Sequence, residues 1–80
     1  MHEAGIVEDL IKSIRERIGE GKSGRLKKIY VQLGKATGVS EDSLKFWFED
    51  LSRGTELGGV SLDVTVVPGK QITVDSLEVE

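Results

Sequence analysis

The chain has 80 residues, of which 11 are basic and 14 acidic, so its formal charge is −3. This length fits one domain whose small core leaves little room for an enzymatic cavity. The net negative charge argues against a surface built for nucleic-acid backbones. The absence of cysteine excludes cysteine-based zinc sites. The only histidine is His2, so a Ser-His-Asp triad would have to take its base from the end of the chain. We therefore do not expect an enzyme.

No segment of the sequence is typical of export or of membrane insertion. The chain opens with Met-His-Glu rather than with a basic and then apolar signal sequence. No apolar run approaches the roughly 18 residues that a membrane span requires. We therefore expect a soluble, cytoplasmic protein that contacts neither membranes nor nucleic acid.

Hydrophobic spacing predicts a first helix from His2 to about Ile18. Its apolar residues recur at every third or fourth position and would share one face. These residues are Val7, Leu10, Ile11, Ile14 and Ile18. Gly19 favours the end of this helix. Alternation from Leu26 to Leu33 then predicts a strand with one face toward the core and the other toward solvent.

A second helix is predicted to begin after Ser40 and to end at Gly54. Ser40 is a good N-cap residue, and the acidic residues Glu41 and Asp42 follow it in the positively polarised first turn. An aromatic-rich apolar stripe repeats at helical spacing. It consists of Leu44, Trp47, Phe48 and Leu51. Such a stripe is more often core than ligand pocket, and Phe46, which lies off it, should be partly exposed.

Two further strands are predicted in the last third of the chain. The first, from Val60 to Val67, alternates apolar and polar residues. Pro68-Gly69 fits the centre of a type II turn, so we expect a tight hairpin into the last strand. That strand runs from Gln71 to Glu80. Its apolar residues change from even to odd positions, which predicts a β-bulge near Asp75-Ser76.

The resulting order is α-β-α-β-β. It predicts an α+β fold in which two helices pack on one face of a three-stranded mixed sheet. The long path from the first strand through the second helix to the second strand suits a right-handed crossover. We expect residues 1–80 to form a single domain, while the order of the strands within the sheet stays open.

The segment between the first helix and the first strand is rich in glycine and basic residues. Gly19, Gly21 and Gly24 spell G-x-G-x-x-G, but a phosphate-binding loop leads from a strand into a helix, whereas this segment leads from a helix into a strand. A flexible linker is the better interpretation. The basic residues fit a solvated loop or, as a less favoured alternative, a docking surface for an acidic partner. They are Lys22, Arg25, Lys27 and Lys28.

The first three residues are the chemically distinctive part of the sequence. The Met1 amine, the His2 amide nitrogen and the His2 imidazole can close fused chelate rings around Ni(II) or Cu(II), which suit nitrogen-rich tetragonal sites. Glu3 can add a carboxylate. The alternative is an ordinary helix start, in which Glu3 lies near the positive end of the helix and His2 frays. Spacing alone favours this alternative.

Several short motifs occur in a characteristic order. They are Met1-His2-Glu3, Leu33-Gly34, Thr37-Gly38-Val39, Leu44 with Phe46, Phe48 and Glu49, Gly54-Thr55, and Ser76-Leu77-Glu78-Val79-Glu80. In this order and spacing the chain resembles the HypA/HybF family of hydrogenase nickel-incorporation proteins. The resemblance implies a nickel site in which His2 is the principal ligand, with Met1 and Glu3 beside it.

The resemblance also implies a function and partners. It implies a non-catalytic metallochaperone that delivers Ni(II) during nickel–iron hydrogenase maturation, with the nickel-inserting GTPase and the hydrogenase large subunit as partners. The family carries a zinc module with two C-x-x-C pairs between its last two strands, where this chain has Pro68-Gly69-Lys70, so we expect no zinc. The alternative function is a metal-free protein-interaction module that docks partners through the first helix or the sheet face. Neither pattern nor resemblance predicts the oligomeric state.

Overall fold

A computed structural model describes residues 3–19 and 26–80. These residues form two α-helices, a short 3-10 helix and a three-stranded sheet. The helices are α1 (Glu3–Ile18) and α2 (Glu41–Ser52), and the 3-10 helix is Lys35–Thr37. The strands are β1 (Leu26–Gly34), β2 (Ser61–Val67) and β3 (Ile72–Val79). The predicted element order and the α+β class with a mixed sheet are confirmed.

Parts of two predictions lie outside the described residues. These parts are His2, predicted as the first residue of α1, and residues 20–25, which include two of the glycines and two of the basic residues discussed above. Within the described part, α1 ends as predicted. Gly19 follows it with a φ of 77°, and its N–H donates to the Arg15 carbonyl at 3.1 Å. All five apolar residues predicted to share a face of α1 are buried.

The cap and the buried stripe of α2 are confirmed. The Ser40 hydroxyl accepts a hydrogen bond from the Ser43 N–H at 3.1 Å, which satisfies one donor that the first turn leaves without a helical partner. Leu44 and Phe48 are buried, and the other two residues of the stripe pack half-buried against them. Phe46, predicted to lie off the stripe, is 62% exposed. The aromatic stripe is therefore part of the core.

The strand order is β2-β1-β3, in which β1 pairs parallel with β2 and antiparallel with β3. The predicted hairpin is therefore wrong, because β1 lies between the two strands that it would have paired. Residues 68–71 cross over the end of β1 instead. The Gly34 N–H donates to the Gln71 carbonyl at 2.9 Å. The Ala36 N–H donates to the Gly69 carbonyl at 2.8 Å.

This short crossing is possible because Gly34 has no side chain. A Cβ atom at this position would lie 2.5 Å from the Gly69 carbonyl oxygen. Gly34 itself has ordinary extended angles, with φ −70° and ψ 130°, so close contact rather than backbone conformation requires the glycine. A Pro-Gly pair fits a change of direction in either topology. β1, the most buried of the three strands, takes the central position, where neighbouring strands cover both of its edges.

The predicted bulge in β3 is confirmed. Tyr30 pairs with Ser76 and Val31 pairs with Val74, so Asp75 is an extra residue without a partner across the ladder. An extra residue reverses the alternation of side chains along a strand. Ile72 and Val74 before the bulge and Leu77 after it therefore all pack in or against the core, whereas Val79 at the end of the strand is 56% exposed.

The core lies between the two helices and one face of the sheet. Its fully buried side chains come from both helices, from β1 and from the loop after α2; the largest are Ile14, Ile29, Leu33, Leu44 and Leu57. Leu57 belongs to that loop, which sequence patterning identified only as a connection. No helix among residues 3–19 and 26–80 has the length and apolar composition of a membrane span.

Candidate functional site

The predicted nickel site consists of Met1, His2 and Glu3, of which only Glu3 lies within the described residues. Glu3 is the first residue of α1 and is half-buried. Its carboxylate lies in the first turn, where the unpaired N–H groups of the helix favour negative charge. This position suits Glu3 to start the helix whether or not a metal binds, so the geometry of α1 alone does not separate the two interpretations of the terminus.

The donor chemistry of the remaining chain narrows where a transition metal could bind. Among residues 3–19 and 26–80, no group of three or more His, Cys, Asp or Glu side chains could hold a metal ion. The single imidazole of the chain is at position 2, and the chain has no thiol. A site built on imidazole nitrogen therefore has to use the terminus that precedes α1.

A groove with a volume of about 440 Å³ lies beside the N-terminal half of α1. One wall comes from α1, and the opposite wall comes from the 3-10 helix and the crossing segment. Its lining includes Ile6, Asp9, Leu10, Ala36, Lys70 and Ile72. The Thr37 hydroxyl at its edge already donates to the Gly34 carbonyl at 2.7 Å and accepts from the Val39 N–H at 3.2 Å. The groove thus combines apolar lining residues with one acidic and one basic residue, which suits docking better than catalysis.

Two cations near the end of α1 connect this helix to distant parts of the chain. Arg15 Nε lies 2.6 Å from Glu56 Oε1 in the loop after α2. The Arg15 guanidinium lowers the pKa of the Glu56 carboxyl below its usual value. Arg17 donates to the carbonyl of Val74, beside the β3 bulge, at 2.6 Å. Sequence reasoning missed these contacts, because helical spacing carries no signal for partners 41 and 57 residues away.

The sheet face opposite the helices is polar. The Tyr30 hydroxyl donates to Glu78 Oε1 at 3.3 Å, and the Lys28 ammonium lies 5.7 Å from the centre of the Tyr30 ring. Lys28 and Glu78 are partners in the β1–β3 register, and Asp63 of β2 pairs with Tyr30 on the other side. Both signs of charge alternate across this face, so it is suited to solvent and has no single preference for an acidic or a basic partner.

Comparison with known proteins bears directly on this terminus. The sequence model of the family described as "Hydrogenase/urease nickel incorporation, metallochaperone, hypA" matches residues 1–78. The chain belongs to the HypA family. The resemblance inferred from the motifs is thus confirmed, and Met1, His2 and Glu3 all lie inside the matched range.

Curated relatives carry the HypA name. The hydrogenase maturation factor HypA of Dehalococcoides mccartyi is 39% identical over 70 residues, which cover 88% of this chain and 59% of the relative. The hydrogenase maturation factor HypA of Azotobacter chroococcum mcd 1 is 30% identical over 70 residues, which cover 88% of this chain and 62% of the relative. The chain therefore spans about three fifths of the length of these relatives.

A solved structure shares the architecture. The solution structure of the Ni metallochaperone HypA from Helicobacter pylori superimposes with a TM-score of 0.78 and covers 99% of this chain and 97% of that chain. The two sequences are 15% identical, so this likeness concerns the fold. The arrangement of two helices on a mixed sheet is thus found in a HypA structure as well.

Proposed function

We propose that this chain binds Ni(II) as cargo at its amino terminus and serves as a metallochaperone in nickel–iron hydrogenase maturation. The Met1 amine, the His2 amide nitrogen and the His2 imidazole are the proposed donors, with the Glu3 carboxylate beside them. The observation that carries the proposal is the HypA family match, which begins at residue 1 and includes all three residues. The family description names nickel incorporation, and the relatives are hydrogenase maturation factors.

The donor set suits a cargo site. Nitrogen-rich tetragonal coordination favours Ni(II) and Cu(II) over Mg²⁺ or Ca²⁺, which prefer oxygen ligands. A chaperone has to bind its metal and then release it to a partner. Ligands drawn from consecutive residues at a chain terminus allow stepwise exchange, which a closed cage of side chains in a core would hinder. We propose the nickel-inserting GTPase and the hydrogenase large subunit as the partners in this exchange.

We also propose that nickel binding does not require the family's zinc module. The present chain has no cysteine for such a module. Residues 68–71 instead join β2 to β3 directly, and the hydrogen bonds of Gly34 and Ala36 fix their path. The buried residues of α1 belong to one hydrophobic core with residues of β1, α2 and β3, so this helix packs without a zinc module.

Calorimetric titration with Ni(II) tests the proposal on untagged protein. We expect one Ni(II) per chain, and we expect His2→Ala to weaken binding by more than the 10- to 100-fold that losing an outer-shell group typically costs. Adding the four residues Gly-Ser-Gly-Ser before Met1 should also weaken binding, because it moves the terminal amine too far from the His2 ring to share fused chelate rings with it. Glu3→Gln removes the proposed carboxylate donor and should weaken binding, whereas its matched control Glu8→Gln, on the exposed side of α1, should bind like the parent.

A variant in which the histidine is moved tests whether nickel binding needs the terminal chelate or only an exposed imidazole. The double variant His2→Ala, Gln32→His moves the only imidazole to the polar sheet face, where Gln32 is exposed. We expect it not to recover binding. If the parent, His2→Ala and the extended protein bind Ni(II) alike, the terminal site is wrong. If none of them binds while a partner still does, the function is that of a metal-free interaction module, for which the groove beside α1 is the first surface to test.

A further inference from the structure

The outer face of α2, defined by Asp42, Phe46, Glu49 and Asp50, combines an exposed aromatic ring with carboxylates. Phe46 is 62% exposed, the largest fraction among the exposed large apolar residues in the described part of the chain. Its ring meets Trp47 edge-on, with centroids 5.4 Å apart and planes at 81°. Trp47 packs partly buried against the core, so the Phe46 ring lies against a side chain that the core supports.

The carboxylates surround Phe46 at helical spacing. Asp42 and Asp50 are four residues before and after it, and Glu49 is three residues after it, so all three share its side of the helix. Asp42 and Asp50 are thus about 12 Å apart along the helix axis, at about 1.5 Å per residue. A partner side chain that covers Phe46 therefore has a carboxylate about one turn away in each direction.

Local cations do not neutralise this surface. Residues 41–53 contain four acidic and two basic residues. Arg53 is shared between Glu49 at 3.9 Å and Asp50 at 3.3 Å. Lys45 pairs with Glu41 at 3.1 Å. No salt bridge of the described residues involves Asp42, so the surface keeps a net negative charge beside an apolar ring.

We propose that the outer face of α2 binds a basic amphipathic helix of a partner protein. An apolar residue of that helix covers Phe46, and Lys or Arg residues one turn to either side meet Asp42 and Asp50. Such an aromatic anchor within a charged rim is a common arrangement of interface hot spots. A second copy that packs its own α2 on this face would place like charges opposite each other, which disfavours it. Docking here does not depend on nickel, so the metal-free protein tests it.

A synthetic peptide serves as the probe. It has about 15 residues, the length at which isolated helices become marginally stable, with leucine along one helical stripe, lysine on its flanks and alanine elsewhere. Trp47 is the only tryptophan of the chain, so its emission reports binding, and calorimetry gives the same constant independently of Trp47. We expect saturable binding that weakens as salt is added. The same peptide with glutamate at each lysine position should not bind.

Variants locate the binding surface. We expect Phe46→Ser and the triple variant Asp42→Asn, Glu49→Gln, Asp50→Asn each to lower the affinity at least about tenfold. The matched control removes three exposed carboxylates elsewhere and should leave the affinity unchanged. It is Asp63→Asn, Asp75→Asn, Glu80→Gln. Circular dichroism checks that each variant remains folded, which the exposure of these side chains leads us to expect.

Two results would overturn the proposal. If the triple variant on α2 and its matched control elsewhere lower the affinity equally, and Phe46→Ser has no effect, the peptide responds only to the net charge of the protein. If sedimentation shows that the protein alone is a dimer that Phe46→Ser dissociates, a second copy covers this face. Both outcomes leave the nickel proposal unaffected, because neither experiment contains metal.

Discussion

Gly34 shows how a single missing side chain permits the path that residues 68–71 take. A methyl group there would lie 2.5 Å from the Gly69 oxygen and 2.8 Å from the Gln71 oxygen. We expect Gly34→Ala to lower the free energy of unfolding by about 2–3 kcal/mol, in the upper range for overpacking. The reason is that the crossing segment must move and give up its backbone hydrogen bonds. Urea denaturation measures the change.

Gly58 provides a matched control for this substitution. A Cβ atom on Gly58 would meet the backbone oxygens of Ser52 and Thr55 at 3.3 Å, a tight contact that small shifts relieve. We expect Gly58→Ala to cost clearly less than Gly34→Ala. An equal loss of unfolding free energy in both variants would mean that close contact with the crossing segment is not the reason why position 34 needs glycine.

The pair of Arg15 and Glu56 gives a prediction about pH. The guanidinium lowers the pKa of the Glu56 carboxyl in the folded protein. The pair therefore stabilises the fold above the unfolded-state pKa, and this contribution is lost as pH falls through the lower folded-state pKa. Because both side chains are about half exposed, we expect a small effect on stability.

Carbon-13 NMR titration of the glutamate carboxyls measures this directly. Arg15→Gln should raise the Glu56 pKa toward its usual value, whereas Lys12→Gln on the exposed side of the same helix should not. An unchanged Glu56 titration in Arg15→Gln would show that the ion pair is absent in solution.

At the scale of elements, hydrogen bonds and a buried side chain order the loop after α2. The Thr55 hydroxyl donates to the Ser52 carbonyl at 2.6 Å and accepts from the Leu57 N–H at 3.2 Å. Leu57 is fully buried. We expect Leu57→Ala to lower the free energy of unfolding by about 2–4 kcal/mol, as for other large-to-small core substitutions.

Phe46→Ala is the comparison for Leu57→Ala, because it removes a larger apolar side chain from an exposed position. We expect it to cost less than about 1 kcal/mol, since most of its surface stays in water when the protein folds. Thermal or urea unfolding of both variants gives the answer. A larger loss for Phe46→Ala would contradict the division between core and outer face of α2.

Features of elements that depend on local spacing could be predicted from the sequence. The buried face of α1 follows from its three- and four-residue repeat, the start of α2 follows from Ser40, and the bulge at Asp75 follows from a change in alternation. Leu57 could not be predicted, because one apolar residue within a turn-rich segment has no periodicity. Contacts such as that of Arg17 with Val74 depend on how elements meet in space.

At the scale of the whole molecule, strand order was the main feature that pattern did not determine. Pro68-Gly69 indicates a reversal of direction, and a hairpin is the shortest way to satisfy it. The observed order β2-β1-β3 instead places the most buried strand in the centre. This order requires residues 68–71 to cross over the end of β1, which the absence of a side chain at Gly34 permits. That consequence could be recognised only after the crossing was known.

The candidate nickel site was predicted differently from the fold. Chelate chemistry makes residues 1–3 possible ligands, but spacing alone favours an ordinary helix start for the same residues. Membership of the HypA family, and not periodicity, gives the nickel interpretation its weight. The groove beside α1 and the outer face of α2 need no such membership, since exposure, contacts and charge define them.

Proton NMR of the His2 imidazole during addition of Ni(II) tests the central proposal most directly. His2 is the only histidine, so its ring signals are unambiguous. We expect them to shift or broaden up to one equivalent of metal, while methyl signals of the buried β1 residue Val31 stay in place. Imidazole signals that remain unchanged at saturating Ni(II) would contradict a terminal nickel site.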